Sequence, residues 1–251
     1  MDDRKMAGHI HLVVDGPVAQ VTLEHAGKFN AMTRSMWATL KGIFLELQTN
    51  TAVRCVVVQG AAGHFCAGGD ISEYTSFRFD EAQLQHFHEQ EVWGALQAML
   101  DCDIPILAQI EGNCMGAGVE IASCCDLRVA KDSSRFGAPI ARLGFPMAPK
   151  EAALVSQALG ETTARAMLLA AEVFDAAHMQ HCGFLTHCLT ETAWQAHCDA
   201  LVKRVVQLGP QAARLNKMTF RSVSFSPYSY ASSAEHREGI AAFLEKRSPL
   251  F

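Results

Sequence analysis

Two glycine-rich stretches hold the residue types that could do chemistry in this 251-residue chain: His64-Phe65-Cys66-Ala67-Gly68-Gly69-Asp70 and Gly112-Asn113-Cys114-Met115-Gly116-Ala117-Gly118-Val119-Glu120. Each directly follows a run that reads as a β-strand, where open α/β sheets place their ligands. Small residues there let a substrate approach the backbone closely, and a turn that enters a helix leaves N–H groups without intrahelical partners. Two such N–H groups aimed at one point would form an oxyanion hole, able to hold the negative charge that develops on a thioester oxygen. Taken singly, either stretch also fits an ordinary tight turn. Glu120 adds a carboxylate set between Gly118-Val119 and Ile121-Ala122. Burial among such neighbours raises a carboxyl pKa into the range useful for moving protons, although a buried structural ion pair would have the same local sequence.

Other chemistries lack their residues. Neither turn spells G-x-G-x-x-G and no P-loop Lys-Ser/Thr follows one, so a dinucleotide-dependent oxidoreductase has no site to use. The pairs His181-Cys182, His187-Cys188 and His197-Cys198 match no zinc spacing, and no metal is expected. Nine cysteines, many of them inside apolar segments, with no secretory signal before them, point to free thiols in a reducing compartment. Net charge is only −5 and has no long run of one sign, which argues against a nucleic-acid surface or a polybasic membrane patch. The start, Met1-Asp2-Asp3-Arg4-Lys5, has no apolar core of a leader, and no apolar run approaches the roughly eighteen residues of a membrane span. The expectation is a cytoplasmic protein acting on a small molecule.

Several elements are needed to hold the two turns in place. Ile10 to Val14 and Val18 to Leu23 are β-rich runs separated by Asp15-Gly16-Pro17, which predicts a hairpin. Thr33 stands where it can cap a helix whose Met36, Leu40, Ile43 and Leu47 recur at helical spacing, and the buried strand Cys55 to Val58 follows. The alternation continues with a helix from about Asp80 to Leu100, the strand Ile106 to Ile110, a short helix through Glu120 to Cys124 and the strand Leu127 to Ala130. Strands that feed helices in succession call for a mostly parallel sheet flanked by helices. Beyond Pro149 the pattern is helical: Trp194, Cys198, Leu201, Val205 and Leu208 form a stripe, and helices are expected near Pro210 to Thr219 and Ser232 to Lys246. Pocket-lining positions would depend on loops such as Tyr74 to Glu89, which the sequence does not place relative to the two turns.

With these elements in place, the sequence resembles the crotonase superfamily, the enoyl-CoA hydratase/isomerase group, over essentially the whole chain. Lys28-Phe29-Asn30-Ala31-Met32 is similar to the family's K-x-N-A-(L/M) segment, and Phe65-Cys66-Ala67-Gly68-Gly69-Asp70-Ile71 to its F-x-A-G-x-D-(I/L) turn. Pro105 to Asp126 resembles P-x-(I/L)-A-x-(I/V)-x-G-x-x-x-G-(G/A)-G-x-E-(L/I)-A-x-x-C-D, and Glu238 to Arg247 resembles the family's ending. The resemblance implies an α/β fold, a crotonase-like spiral of ββα repeats over residues 1–190 with a C-terminal helical trimerisation region over 191–251. It also implies assembly as a homotrimer or a dimer of trimers.

By matching positions, the resemblance implies an acyl-CoA thioester as substrate, with no cofactor beyond that coenzyme. The backbone N–H groups of Gly69 and Ala117 would form the oxyanion hole. Such donors tolerate Ala or Gly and are lost to Pro. Glu120 falls on the first of the family's two catalytic carboxylates, while Lys28, Ala67, Asp70 and Ile71 would lie along the CoA path. Phe243 and Lys246 would reach CoA from the C-terminal helix, across a subunit boundary, or else serve as a core phenylalanine and a surface lysine.

At one catalytic position the chain departs from the pattern. The family's second carboxylate follows Pro in a segment that here runs Arg135-Phe136-Gly137-Ala138-Pro139-Ile140. Glu151, after Pro149-Lys150 at a helix start, could turn toward the pocket in its place, or could simply favour the helix N-terminus. Hydration or dehydration of an enoyl-CoA is the leading expectation. Single-glutamate isomerisation, C–C lysis or decarboxylation is the alternative, and a non-catalytic acyl-CoA-binding protein of the same fold is a third reading.

Overall fold

The hairpin signal at Asp15-Gly16-Pro17 is realised in the computed structural model, which describes residues 7–221, 226 and 228–251. The charged start from Met1 to Lys5 lies outside the described residues. Strands β1 (His9–Asp15) and β2 (Val18–Glu24) pair antiparallel with Asp15 opposite Val18, and Gly16 takes the positive φ, 53°, that so short a turn requires. The Thr33 side chain accepts from the Met36 N–H and starts α1 (Arg34–Thr49), which buries Met36, Trp37, Leu40, Ile43, Phe44 and Leu47. That helix carries the chain across to β3 (Cys55–Gly60), parallel to β2.

Two further crossovers add β4 (Ile106–Ile110) and β6 (Leu127–Lys131), and a long helical excursion ends in β9 (His187–Leu189). The six strands stand in the order β1-β2-β3-β4-β6-β9, parallel from β2 onward. Alternation explains why β3 reads as an unbroken apolar run. Val56 and Val58 face the main core, while Cys55 and Val57 face the opposite side, where α8 (Glu191–Val206) packs. Trp194, Cys198, Leu201 and Val205 of the expected stripe are buried on that side, but Leu208 lies past the end of α8 and is half exposed.

The helix expected from Asp80 to Leu100 begins at an Asp80 cap and is interrupted in its middle. It runs as α2 (Glu81–His86), a π-helical turn Phe87–Val92, and α3 (Trp93–Asp101). A second sheet, which the sequence did not reveal, joins β5 (Asn113–Met115) and β7 (Arg135–Gly137) in parallel and β7 and β8 (Val173–Asp175) antiparallel. Three-residue strands are too short for alternation to register. Helix α4 (Ala117–Ser123) follows β5 after one residue, and a 3₁₀ turn over Pro139–Leu143 leads toward α5 (Pro149–Leu159).

Beyond these come α6 (Glu161–Leu169) and α7 (Ala176–His181) before β9, and α9 (Pro210–Phe220) and α10 (Ala234–Leu244) after α8. Lys217 ties α9 to the core: its buried ammonium donates to the Ile104 carbonyl at 3.0 Å and pairs with Asp126 at 2.8 Å, partners that a buried charge needs. All nine cysteines are free thiols, and no helix among the described residues is long and apolar enough to cross a membrane.

Candidate active site

Backbone hydrogen bonds join the two glycine-rich turns to each other. The Cys66 N–H donates to the Asn113 carbonyl at 2.9 Å, and the Met115 N–H donates back to the Cys66 carbonyl at 2.8 Å. The 28–32 segment closes on the first turn: Ala67 N–H donates to Phe29, Met32 N–H to Gly68 and Asp70 N–H to Met32, at 2.8 to 2.9 Å. Asn30 fixes that segment in a left-handed conformation, φ 62°, by donating its amide to the carbonyls of Ala61 and His64. The Gly68 N–H donates to Cys66 Sγ at 3.4 Å and the Asp70 N–H is used in this ladder, while the Gly69 N–H between them has no protein acceptor among the described residues.

The second turn does the same for Ala117. Gly116 bonds to the Gly137 carbonyl and adopts φ 48°, ψ −112°, a region that favours glycine, so the chain turns directly into α4. Ala117 is the first residue of that helix, and its N–H likewise has no protein acceptor among the described residues, as the first amides of a helix do not. Gly118 lets the two turns touch, since a Cβ there would stand 2.8 Å from the Cys66 carbonyl oxygen. Gly69 and Ala117 both line a cavity of about 460 Å³, and Glu120 lines it from one turn further into α4.

Glu120 is 7% exposed, and its carboxyl makes no hydrogen bond to the protein among the described residues. Burial pushes its carboxyl well above the usual carboxylate range, and the neighbouring Glu151 charge pushes it further. Both influences favour the protonated form. Glu151 is in the first turn of α5, yet it is 2% exposed, lines the same cavity and lies 2.9 Å from His88 Nδ1. Ile140 also lines the cavity, so the wall that carries a carboxylate in the family pattern is apolar here.

Three polar cavity residues come from the stretch that the sequence could not place. The Tyr74 hydroxyl lies over Gly69 so closely that a methyl group on residue 69 would collide with it, which narrows the expected tolerance of alanine at that position. Burial pushes the Tyr74 phenol up to about 12, which keeps it a donor at neutral pH. The Arg78 guanidinium stacks 4.5 Å from the Tyr74 ring centre and 3.9 Å from that of Phe145. His88, from the π-helical turn, points Nδ1 at Glu151 and Nε2 toward Arg78. No motif spacing identifies these three, because distant parts of the chain bring them to one place.

Of the residues expected along the CoA path, Ala67 and Ile71 line the cavity, and Lys28 and Asp70 lie beside it as a pair. Lys28 Nζ donates to both Asp70 oxygens, at 2.9 and 2.7 Å, and to Ser72 Oγ at 2.8 Å. Burial alone would raise the Asp70 carboxyl, but the bonds from Lys28 and Ser72 hold it below its usual range. Phe243 and Lys246 lie near the end of α10 and do not line the cavity within one chain; Phe243 is 81% exposed. Among the described residues no group of three or more His, Cys, Asp or Glu is placed to hold a metal ion.

Such a site can polarise a carbonyl oxygen with two N–H groups while a buried acid exchanges a proton with the adjacent carbon. Comparison with known proteins points the same way. A family model described as Enoyl-CoA hydratase/isomerase matches residues 14–251. A protein of Mycobacterium tuberculosis (strain CDC 1551 / Oshkosh) named "Probable enoyl-CoA hydratase echA8" is 27% identical over 94% of this chain and 95% of its own length. The 2,3-dehydroadipyl-CoA hydratase of Escherichia coli (strain K12) is 26% identical over 93% of this chain and 94% of its own. The crystal structure of an enoyl-CoA hydratase/carnithine racemase from Magnetospirillum magneticum superposes with a TM-score of 0.92 at 30% identity, covering 96% of this chain and 94% of that one. Agreement of that extent carries the α/β spiral fold expected from the sequence.

Proposed function

The chain belongs to the enoyl-CoA hydratase/isomerase family, and from that premise we propose that it binds an acyl-CoA thioester and adds water reversibly to a 2-enoyl-CoA. The observation that carries the reading is the pair of unpartnered N–H groups at Gly69 and Ala117, which share one cavity with the buried carboxyl of Glu120. The thioester oxygen takes both N–H groups as charge moves onto it, and Glu120 exchanges a proton with the α-carbon. Each such donor is worth about two to three orders of magnitude in rate. Lys28, Ala67, Asp70 and Ile71 guide the coenzyme, whose thioester is part of the substrate, and no other cofactor is required. Nine free thiols suit a reducing cytoplasm.

Ile140 supports a second reading, in which one glutamate suffices for isomerisation, lysis or decarboxylation of an acyl-CoA. Loss of the conjugated enoyl-thioester absorbance on mixing the protein with crotonyl-CoA separates the two. Fast loss that Glu120→Gln abolishes is the expected outcome. Binding of CoA esters without hydration, together with turnover of a 3-enoyl, hydroxyacyl or malonyl-type CoA, would give the second reading. Binding with no turnover of any of these would leave a non-catalytic acyl-CoA-binding protein.

A further inference from the structure

Ile140 takes a carboxylate away from the cavity wall, yet the cavity still holds two. A glutamate that served only the N-terminus of α5 would sit in water, where its attraction to the helix dipole is retained. Glu151 is instead buried at the cavity, and its bond to His88 supplies the partner that a buried carboxylate needs. The Arg78 guanidinium beside His88 Nε2 can only donate, which places the ring proton on Nδ1, facing Glu151. The backbone that aims His88 is itself unusual. The Phe87–Val92 π turn interrupts an otherwise α-helical run, and π turns are rare and concentrate at functional sites.

We infer that Glu151, positioned by His88, is the second acid–base group of this site and serves the oxygen at the β-carbon while Glu120 serves the α-carbon. The assignment rests on the hydration chemistry proposed above. In the forward direction Glu151 takes a proton from water as the water oxygen bonds to Cβ. The π electrons of the C=C bond move through Cα to the thioester oxygen, which the Gly69 and Ala117 N–H groups hold. The enolate then collapses and Cα takes the proton of Glu120. One O–H bond and one C=C π bond are broken, one C–O and one C–H bond are made, and the proton left on Glu151 returns to Glu120. The geometry separates the roles: Glu120 lies one turn into α4 from the Ala117 N–H that holds the thioester oxygen, and Glu151 lines the cavity from α5 with His88 as its partner.

The test compares two reactions in the wild-type protein and in Glu120→Gln, Glu151→Gln, His88→Asn and His88→Leu. One is hydration of short, medium and long 2-enoyl-CoA substrates. The other is exchange of the α-protons of the matching saturated acyl-CoA for deuterium, which needs the N–H pair and Glu120 but no addition of water. Glu120→Gln is expected to lose both. Glu151→Gln should lose hydration by about 100-fold or more while exchange persists at no less than about a third of the wild-type rate, because removing the Glu151 charge eases loss of the Glu120 proton. His88→Asn, which keeps a donor where Nδ1 stands, should hydrate about tenfold faster than His88→Leu. A Glu151→Gln variant that hydrates within about threefold of wild type overturns the assignment and leaves the proposed function standing. So does one that loses exchange and hydration together, because a collapsed site would behave that way. A wild-type protein that exchanges α-protons but hydrates nothing, or does neither, overturns the assignment together with the hydration reading.

Discussion

Ala117 is the residue at which the contribution of a backbone N–H can be isolated most cleanly. It is the first residue of α4, a position where proline fits the helix and where the N–H has no protein acceptor to lose. Ala117→Pro should therefore leave the melting temperature within a few degrees of wild type while lowering the hydration rate by about two to three orders of magnitude. Ala117→Gly, which keeps the N–H, should stay close to wild type. A proline variant with normal turnover would remove Ala117 from the oxyanion-hole assignment. That Gly69, Ala117 and Glu120 belong to two turns that share one cavity could be expected from the sequence, Glu120 from its apolar neighbours and the two N–H positions from the resemblance to the family's turns. Tyr74, Arg78 and His88 were not legible there, because each faces the cavity only after α2, the π turn and α5 have packed, and Glu151 was legible only as one of two alternatives.

At the scale of elements, the strands that alternate with helices were legible because β2, β3, β4 and β6 each span at least five residues of strong pattern. The second sheet was not, since each of its strands has three residues, and neither was the π turn, because one extra residue per turn barely alters a 3.6-residue period. The segment most exposed to a test is the 3₁₀ turn Ile71–Ser76, which Asp70 caps through the Ser72 N–H while gripping Lys28. Asp70 has a folded-state pKa below its unfolded value near 3.9, so its stabilising contribution is present above that value and is lost as pH falls through the lower folded one. Lys28 is partly exposed, and screening there keeps the contribution to roughly 1 kcal/mol. Asp70→Asn should lower the urea midpoint at pH 7, and the deficit should close as the pH is brought from about 4 toward 2. A deficit that does not change over that range would mean that capping, and not the Lys28 pair, is what Asp70 supplies.

At the scale of the whole molecule, several large apolar residues of the C-terminal segment are exposed. Ile240, Phe243 and Leu244 on α10, Leu250 beyond it and Phe220 on α9 are all at least half exposed in one chain. Large apolar residues left exposed along one segment are candidates for cover by another molecule. The expected occupant is a second copy, because the resemblance implies a trimer or a dimer of trimers, and because Phe243 and Lys246 do not line their own chain's cavity. Cyclic assembly would let α10 of one subunit reach the coenzyme path of its neighbour. Light scattering should then give a mass about three or six times the 27.3 kDa of the chain. Phe243→Asp should both shift the protein toward smaller species and weaken its binding of CoA esters, the two effects rising together with dilution. If the variant dissociates but single subunits bind CoA esters as tightly as before, α10 is only an assembly element and the coenzyme site is complete within one chain. If it stays assembled and binding alone weakens, Phe243 touches the coenzyme without holding the subunits together.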